Sequence, residues 1–342
     1  MTTPRSTTSS REVRLARRPE GRPEPGDFSI ATVTLDAPAE GEVLVQNQYM
    51  SVDPYMRGRM SDRRSYVPPF EIGKPLDGSA VGRVLVSRSD ALTEGDTVLH
   101  RFGWRERVVA AATQFTKIDP SSAPVRAHLG VLGMTGFTAY VGLQHIGALA
   151  AGETVFVSAA AGAVGSVACQ IARIMGCTVV GSAGSAKKVE WLKGVAKVDG
   201  AFDYTATDDL VGTLRALAPQ GVDVYFDNVG GDHLEAALAS MNRGGRVVLC
   251  GMIGQYNAKE PPCAPRNLVL AIGKRITLRG FIVGDHADRR AAFLTDMSRW
   301  LGEGAMQSEE TIFHGLDAAA AAFIALFDGE NTGKMIVDLT AD

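Results

Sequence analysis

The segment Thr154–Gly165 constrains this chain more than any other. It reads TVFVSA followed by Ala160-Ala161-Gly162-Ala163-Val164-Gly165, a β-branched run closed by a G-x-G-x-x-G pattern with Ala160 at the first position. The run predicts a buried strand. Residues 163–175 then predict a helix, because Val164, Val167, Ala168, Ile171 and Ile174 recur at helical spacing. Glycines between a strand and a helix have a physical use. Gly162 lets the backbone approach a pyrophosphate, and Gly165 lets the helix pack closely on the strand. The helix N-terminus offers unpaired N–H groups and a partial positive charge. A tight turn with no ligand is the plainer alternative, but the strand–loop–helix context is the one a dinucleotide site requires.

The rhythm repeats downstream. Strands are expected at 177–183, 201–204, 222–228, 245–251 and 276–283, with helices at 185–193, 208–217, 232–241 and 287–302. Short loops between alternating strands and helices specify a parallel, doubly wound sheet. Residues 28–118 read differently. EVLVQNQ (42–48), GRVLV (82–86) and DTVLH (96–100) are short runs bounded by Gly, Pro and Asp, as in a small all-β unit. The tail, 310–314, 317–327 and 334–339, returns to β and completes that first unit. The opening 28 residues read as a frayed tail leading into a first strand. They lack an apolar h-region, so no signal peptide is expected there.

Composition removes other classes. The 342 residues are 45% hydrophobic and 21% charged, which excludes a disordered chain. A net charge of −3 gives no basic surface for nucleic acid, and no nucleic-acid partner is expected. Between Ala127 and Ala172 the only charge is Glu153, but Gly, Ser, Thr, Gln and His interrupt the run, so buried soluble elements explain it better than a membrane span. Four cysteines without C-x-x-C spacing read as reduced thiols, consistent with a cytoplasmic location.

Dinucleotide type follows from the end of the second strand. An NAD site usually carries Asp or Glu there, about 20 residues beyond the glycines, for the ribose 2′-OH. Here the chain reads Gly181-Ser182-Ala183-Gly184-Ser185, with Lys187 and Lys188 next. A missing carboxylate beside cations suits a 2′-phosphate, so NADP(H) is the expected cofactor. One of the two lysines is expected to be no more than a solvated helix face. Residues 1–168 contain no Cys, and His100, His128 and His145 lack ligand spacing, so no catalytic metal site is expected.

Five stretches, the glycine loop among them, carry a resemblance: SVDPYMRGRM (51–60), AAAGAVG (159–165), FDNVGG (226–231), CGMIGQYN (250–257) and NTGK (331–334). In this order they resemble the zinc-independent branch of the medium-chain dehydrogenase/reductase superfamily. Within it they are similar to the leukotriene/prostaglandin reductase, alkenal double-bond reductase and NADPH-dependent curcumin reductase group. The resemblance runs from about residue 28 to 338. It implies a GroES-like β-barrel catalytic domain over 1–127 and 312–342 and a doubly wound Rossmann NADP-binding domain over 128–311. Two places depart from the family pattern. Gly133-Met134-Thr135-Gly136 replaces a Gly-Met-Pro-Gly turn, and residues 259–266 (KEPPCAPR) fall where the family varies.

The resemblance also implies roles. Gly162, Ala163, Val164 and Gly165 would hold the pyrophosphate, and Gly184, Lys188 and Tyr204 the 2′-phosphate side. Asn228 would meet the cofactor near a ribose. Cys250, Gly251 and Tyr256 would line the nicotinamide half, Phe281, Ile282 and Val283 would present backbone to its amide, and Asn331 would reach toward it from the β unit. Tyr55 and Tyr66 are expected to touch substrate, although either reads equally well as an ordinary barrel or loop aromatic. Arg57 and Arg59 read as surface charges or partners of Asp53 and Asp62, and Asp227 as the residue that orders the loop after its strand.

The implied chemistry is reduction of the C=C bond of an α,β-unsaturated aldehyde or ketone, a small hydrophobic conjugated carbonyl. Hydride adds to the β-carbon, and charge moves to the carbonyl oxygen. Without a metal, hydrogen-bond donors must hold that charge, each worth roughly 3–4 kcal/mol by analogy with oxyanion holes. Tyr256, the catalytic candidate, and the cofactor ribose 2′-OH would supply them. A quinone reductase of the same branch and a non-catalytic NADPH-binding protein remain alternatives. A homodimer pairing its sheets along the strand near 276–281 is implied by the resemblance alone.

Overall fold

The computed structural model describes residues 7–260 and 262–340. The chain divides into two compact units, residues 1–129 with 310–342, and residues 130–309. The sequence expectation of a frayed N-terminal tail is corrected at Thr8. Strand β1 (Thr8–Leu15) pairs antiparallel with β2 (Phe28–Leu35), and its Val13 and Leu15 are buried. Ser10 and Glu12 are buried as well, so both faces of the strand carry buried positions. Residues 1–6 of that tail lie outside the described residues.

The first unit continues with β3 (Glu42–Ser51), the short helix α1 (Met56–Arg59), β4 (Ala80–Ser87), β5 (Thr97–His100), β6 (Arg107–Ala111) and β7 (Thr116–Lys117). β3 is central: it pairs with both β4 and β6, antiparallel in each case. Val43 and Val45 of β3, Val84 of β4 and Val98 of β5 belong to one apolar cluster. The expectation for Arg57 and Arg59 is corrected here. Both are buried, and both have partners other than the acids nearest them in the chain. Arg57 donates to the Gly21 carbonyl at 2.8 Å. Arg59 forks onto Asp77, with its guanidinium 3.9 Å above the Phe70 ring. A guanidinium is tolerated inside because its planar face stacks while its donors stay paired.

The second unit opens with α2 (Met134–Val141) and then alternates. Its strands are β8 (Thr154–Val157), β9 (Thr178–Ala183), β10 (Gly200–Asp203), β11 (Val222–Asp227), β12 (Met241–Leu249) and β13 (Thr277–Gly280). The helices are α3 (Gly165–Ile174), α4 (Ala186–Gly194), α5 (Leu210–Leu217), α6 (Gly231–Ser240), α7 (Leu270–Lys274) and α8 (Arg290–Gly302). Six parallel strands lie in the order β10-β9-β8-β11-β12-β13. That is the doubly wound Rossmann order, whose switch point falls between β8 and β11. All four residues of β8 are buried, which is why TVFV needs no polar alternation. Phe156 stacks on Tyr225, ring centroids 4.9 Å apart, at the centre of this core.

The chain then returns to the first unit. β14 (Glu310–His314) pairs parallel with β15 (Lys334–Asp338), which pairs antiparallel with β3. Between them the expected β character is wrong. AAAAFIALF forms helix α9 (Ala319–Phe327). Alanine has the highest helix propensity, and Ala319, Ala322, Phe323 and Leu326 share a stripe that buries against Trp104 and Met50.

An ion pair fastens β15 inside this unit. Lys334 Nζ lies 3.1 Å from Asp53 Oδ1 and donates to the Val52 carbonyl at 2.8 Å and the Met335 carbonyl at 2.9 Å. Burial pushes the ammonium below its ordinary pKa, and Asp53 opposes that shift. Lys334→Ala strands a buried carboxylate and should cost about 3–5 kcal/mol of stability in denaturant unfolding. A loss under about 1 kcal/mol would show that the pair does not hold the strand.

Candidate active site

The glycine loop after β8 takes its shape from one residue at positive φ and two close approaches. Ala159 adopts φ +47°, turning the chain sharply off β8. A Cβ on Gly165 would sit 2.3 Å from the Ala159 carbonyl oxygen, so only glycine lets α3 start there. A Cβ on Gly181 of β9 would fall 2.7 Å from Ala160 Cβ. The methyl group of Ala160, where the glycine pattern has its first glycine, is thus accommodated by a glycine on the neighbouring strand. Gly162, Ala163 and Val164 precede the first turn of α3, where a helix leaves amides unpaired and a partial positive charge.

The ends of β9 and β10 meet beside this loop. Ser185 caps α4 by accepting from the Lys188 amide. Lys187 is exposed and Lys188 half-buried, so Lys187 is the solvated one of the two. Burial lowers the Lys188 ammonium pKa. A Cβ on Gly184 would lie 2.9 Å from the Tyr204 hydroxyl, so glycine there leaves room for that ring. Tyr204 packs edge-to-face on His233 of α6, centroids 4.9 Å apart, and burial pushes the His233 imidazole down to about 4. A half-buried cation, a phenol and no carboxylate at the end of β9 fit a dinucleotide bearing a 2′-phosphate.

Past β11 a buried carboxylate organises the loops. Asp227 Oδ1 accepts from the Tyr225 hydroxyl at 2.7 Å and from the Gly230 and Val229 amides at 2.8 and 2.9 Å. Burial raises its pKa, and these hydrogen bonds oppose the rise. Its backbone carbonyl accepts from Cys250 N–H at 2.9 Å and Gly251 N–H at 3.0 Å. Asn228 donates from its backbone N–H to Ser158 Oγ at 3.0 Å and from Nδ2 to the Ser158 carbonyl at 2.7 Å. The ends of β8, β11 and β12 are therefore one hydrogen-bonded unit.

That unit forms a wall of a cavity of about 730 Å³. Leu249, Cys250, Gly251 and Met252 line it from the end of β12, and Gln255 and Tyr256 from the turn that follows. Pro262 adds a contact, and Gly280, at the end of β13, with Phe281, Ile282 and Asp285 after it border its open mouth. Tyr256 folds back so that its hydroxyl accepts from the Met252 amide at 3.3 Å. Burial, with the Asp227 carboxylate, pushes the Cys250 thiol up to about 12. A protonated thiol is a poor nucleophile, so Cys250 acts as an apolar lining group.

Five of the sequence candidates thus share one cavity: Cys250, Gly251, Tyr256, Phe281 and Ile282. Val283 follows Ile282 but does not line it. Gly162, Gly165, Gly184, Lys188, Tyr204 and Asn228 lie along the carboxyl ends of β8 to β11. Tyr55, Tyr66 and Asn331 belong to the other unit. Tyr55 packs against the core of that unit, and burial with nearby Asp53 pushes its hydroxyl up to about 12. Tyr66 is 64% exposed on a loop. Asn331 is buried and donates from Nδ2 to the Gly333 carbonyl at 2.8 Å. The sequence reading took in Gln255 as part of the 250–256 segment but did not single out Ser158 or Asp285. Ser158 carried a signal, as the polar residue at the carboxyl end of the central apolar strand.

Two family profiles match this chain, "N-terminal domain of oxidoreductase" over residues 11–118 and "Zinc-binding dehydrogenase" over residues 163–299. It is 40% identical to the NADPH-dependent curcumin reductase of Escherichia coli over 333 residues, covering 96% of each chain. It is 41% identical to the 2-alkenal reductase (NADP(+)-dependent) of Nicotiana tabacum, covering 96% of this chain and 97% of that one. The chain belongs to the medium-chain dehydrogenase/reductase family. Within that family it falls in the curcumin, alkenal and prostaglandin reductase group. The crystal structure of CurA in complex with NADPH from Vibrio vulnificus superposes on this reductase with a TM-score of 0.91 at 38% identity, covering 97% of this chain and all of that one. Among the described residues of this family member, no group of three His, Cys, Asp or Glu side chains is placed to hold a metal ion.

Proposed function

We propose that this protein is an NADPH-dependent reductase of the C=C bond of α,β-unsaturated aldehydes and ketones. The observation that carries the reading is the cavity at the carboxyl ends of β12 and β13, where the Tyr256 phenol stands on an otherwise largely apolar wall. The 2-alkenal and curcumin reductase relatives support the same chemistry. NADPH, when bound, supplies the hydride for the β-carbon. Gly162 to Gly165 hold its pyrophosphate, Lys188 and Tyr204 its 2′-phosphate, and Asn228 a ribose. Phe281, Ile282 and Val283 present backbone near its nicotinamide amide. On the substrate, charge develops at the carbonyl oxygen as an enolate, and the α-carbon then takes a proton, from the Tyr256 hydroxyl or from water. The Tyr256 hydroxyl donates a hydrogen bond to the enolate oxygen, and the apolar wall keeps competing water away. Ser158 and Asp227 position the Cys250–Tyr256 segment from beneath.

We further infer a homodimer. β13 is the edge of the six-stranded sheet, and its outer hydrogen-bonding groups suit pairing with a second copy. Next to it, Val269 is 68% and Ile272 79% exposed, an apolar face that a partner would cover. The four free cysteines suit a reducing compartment such as the cytoplasm.

Three measurements test these readings. NADPH oxidation should proceed with a linear 2-alkenal and an enone but not with a saturated ketone, and Tyr256→Phe should lower kcat about 10²–10³-fold. Turnover of quinones only, or Tyr256→Phe within a factor of two of the parent, would overturn the assignment. Lys188→Ala should raise KM for NADPH at least about tenfold and leave KM for NADH nearly unchanged. A loss of about 1.4 kcal/mol corresponds to tenfold, modest for a charge-assisted phosphate contact. Equal effects on both cofactors would remove Lys188 from the 2′-phosphate. Light scattering should give twice the chain mass, and Ile272→Glu should shift it to one. A monomer in the parent protein would refute the dimer.

A further inference from the structure

Resting on the C=C-reductase reading, we propose that Asp285 is a charge selector that restricts this cavity to uncharged conjugated carbonyls and disfavours those carrying a carboxylate. The geometry is simple. The lining of the cavity is mostly apolar, from Leu249, Met252, Tyr256, Pro262, Phe281 and Ile282. Asp285 is the one ionisable acid or base with a strong charge among the described lining residues, and no lining Lys or Arg offsets it. Its backbone amide is committed to the Ile282 carbonyl at 3.0 Å. Among the described residues its carboxylate forms no salt bridge and no hydrogen bond, so its charge is not neutralised by a neighbour. It is also exposed, at the solvent side of the wall rather than in the core.

Such a carboxylate leaves neutral enals and enones unaffected by charge and repels an anionic tail. Two unit charges about 6 Å apart repel enough to change a rate or affinity by about 3-fold in a water-like medium and about 100-fold at the lower effective dielectric of a protein surface. The effect is electrostatic and falls with salt, because the screening length drops from about 30 Å at 0.01 M to about 3 Å at 1 M. A purely structural role, as an acid in the first turn of the 3₁₀ segment Val283–Arg289, makes a different prediction. Removing a helix-end charge changes stability and affects all substrates alike.

The test uses a matched pair, an enal with a terminal carboxylate and its methyl ester, with the full-length protein at saturating NADPH. The ratio of kcat/KM for acid over ester is the readout. We expect the parent to prefer the ester. The ratio should rise at least about threefold in Asp285→Asn and further in Asp285→Lys. In the parent protein, raising salt from about 0.01 M to about 1 M should raise the same ratio, a result that requires no variant to fold. An unchanged ratio in both variants, or a parent ratio indifferent to salt, would overturn the selector while leaving enal reduction intact. Failure to reduce the ester, together with failure on every simple enal, would overturn the C=C-reductase reading and the selector with it.

Discussion

A single buried carboxylate carries the loops on which the candidate site depends. Asp227 is fully buried, where an ionised acid is costly, and it is held by a phenol and two backbone amides on one oxygen. Those amides belong to Val229 and Gly230, the start of the loop into α6. Its backbone carbonyl binds the next two amides at the end of β12. Ser158, at the end of β8, joins through its hydroxyl and carbonyl. Three strand ends are thereby fixed to one another before any ligand arrives. A wall built on such paired backbone can hold Cys250 to Tyr256 in one geometry, which is the preorganisation that charge stabilisation requires.

The loop after β8 illustrates how a degenerate glycine motif keeps its shape. Its last glycine is indispensable, because any side chain at Gly165 would collide with the backbone of Ala159 and Ala160. Its first position is occupied by alanine, which is buried without strain because Gly181 on β9 has no side chain to meet it. Space around a phosphate loop is shared between strands, so a missing glycine in the pattern can be supplied across the sheet.

In the β unit the interior contains charge that its apolar composition does not announce. Arg57, Arg59, Asp53 and Lys334 are all buried, each with partners that satisfy it. The DPYMRGRM stretch is therefore a structural knot as well as the place where Tyr55 is presented. Its two arginines bind main-chain carbonyls and Asp77 rather than the acids closest to them in the chain.

The sequence by itself determined the alternation of strands and helices, the parallel sheet, the glycine loop after TVFVSA and the absence of an acid at the end of β9. These follow from periodicity and residue type, which act over a few positions. It also marked Cys250, Gly251, Tyr256, Phe281 and Ile282, which the fold brings to one cavity. The tertiary structure decided what local pattern cannot. An Ala-rich segment between two strands became α9 because helix propensity and a buried stripe outweighed its surroundings. Packing of α4 leaves Lys187 exposed and half-buries Lys188, the lysine that the resemblance had already singled out. Asp285 joined the cavity only through the path of the chain after β13, since neither its neighbours in sequence nor its residue type set it apart from other surface acids. Contacts between residues far apart in the chain are set by packing, and packing is a property of the whole fold.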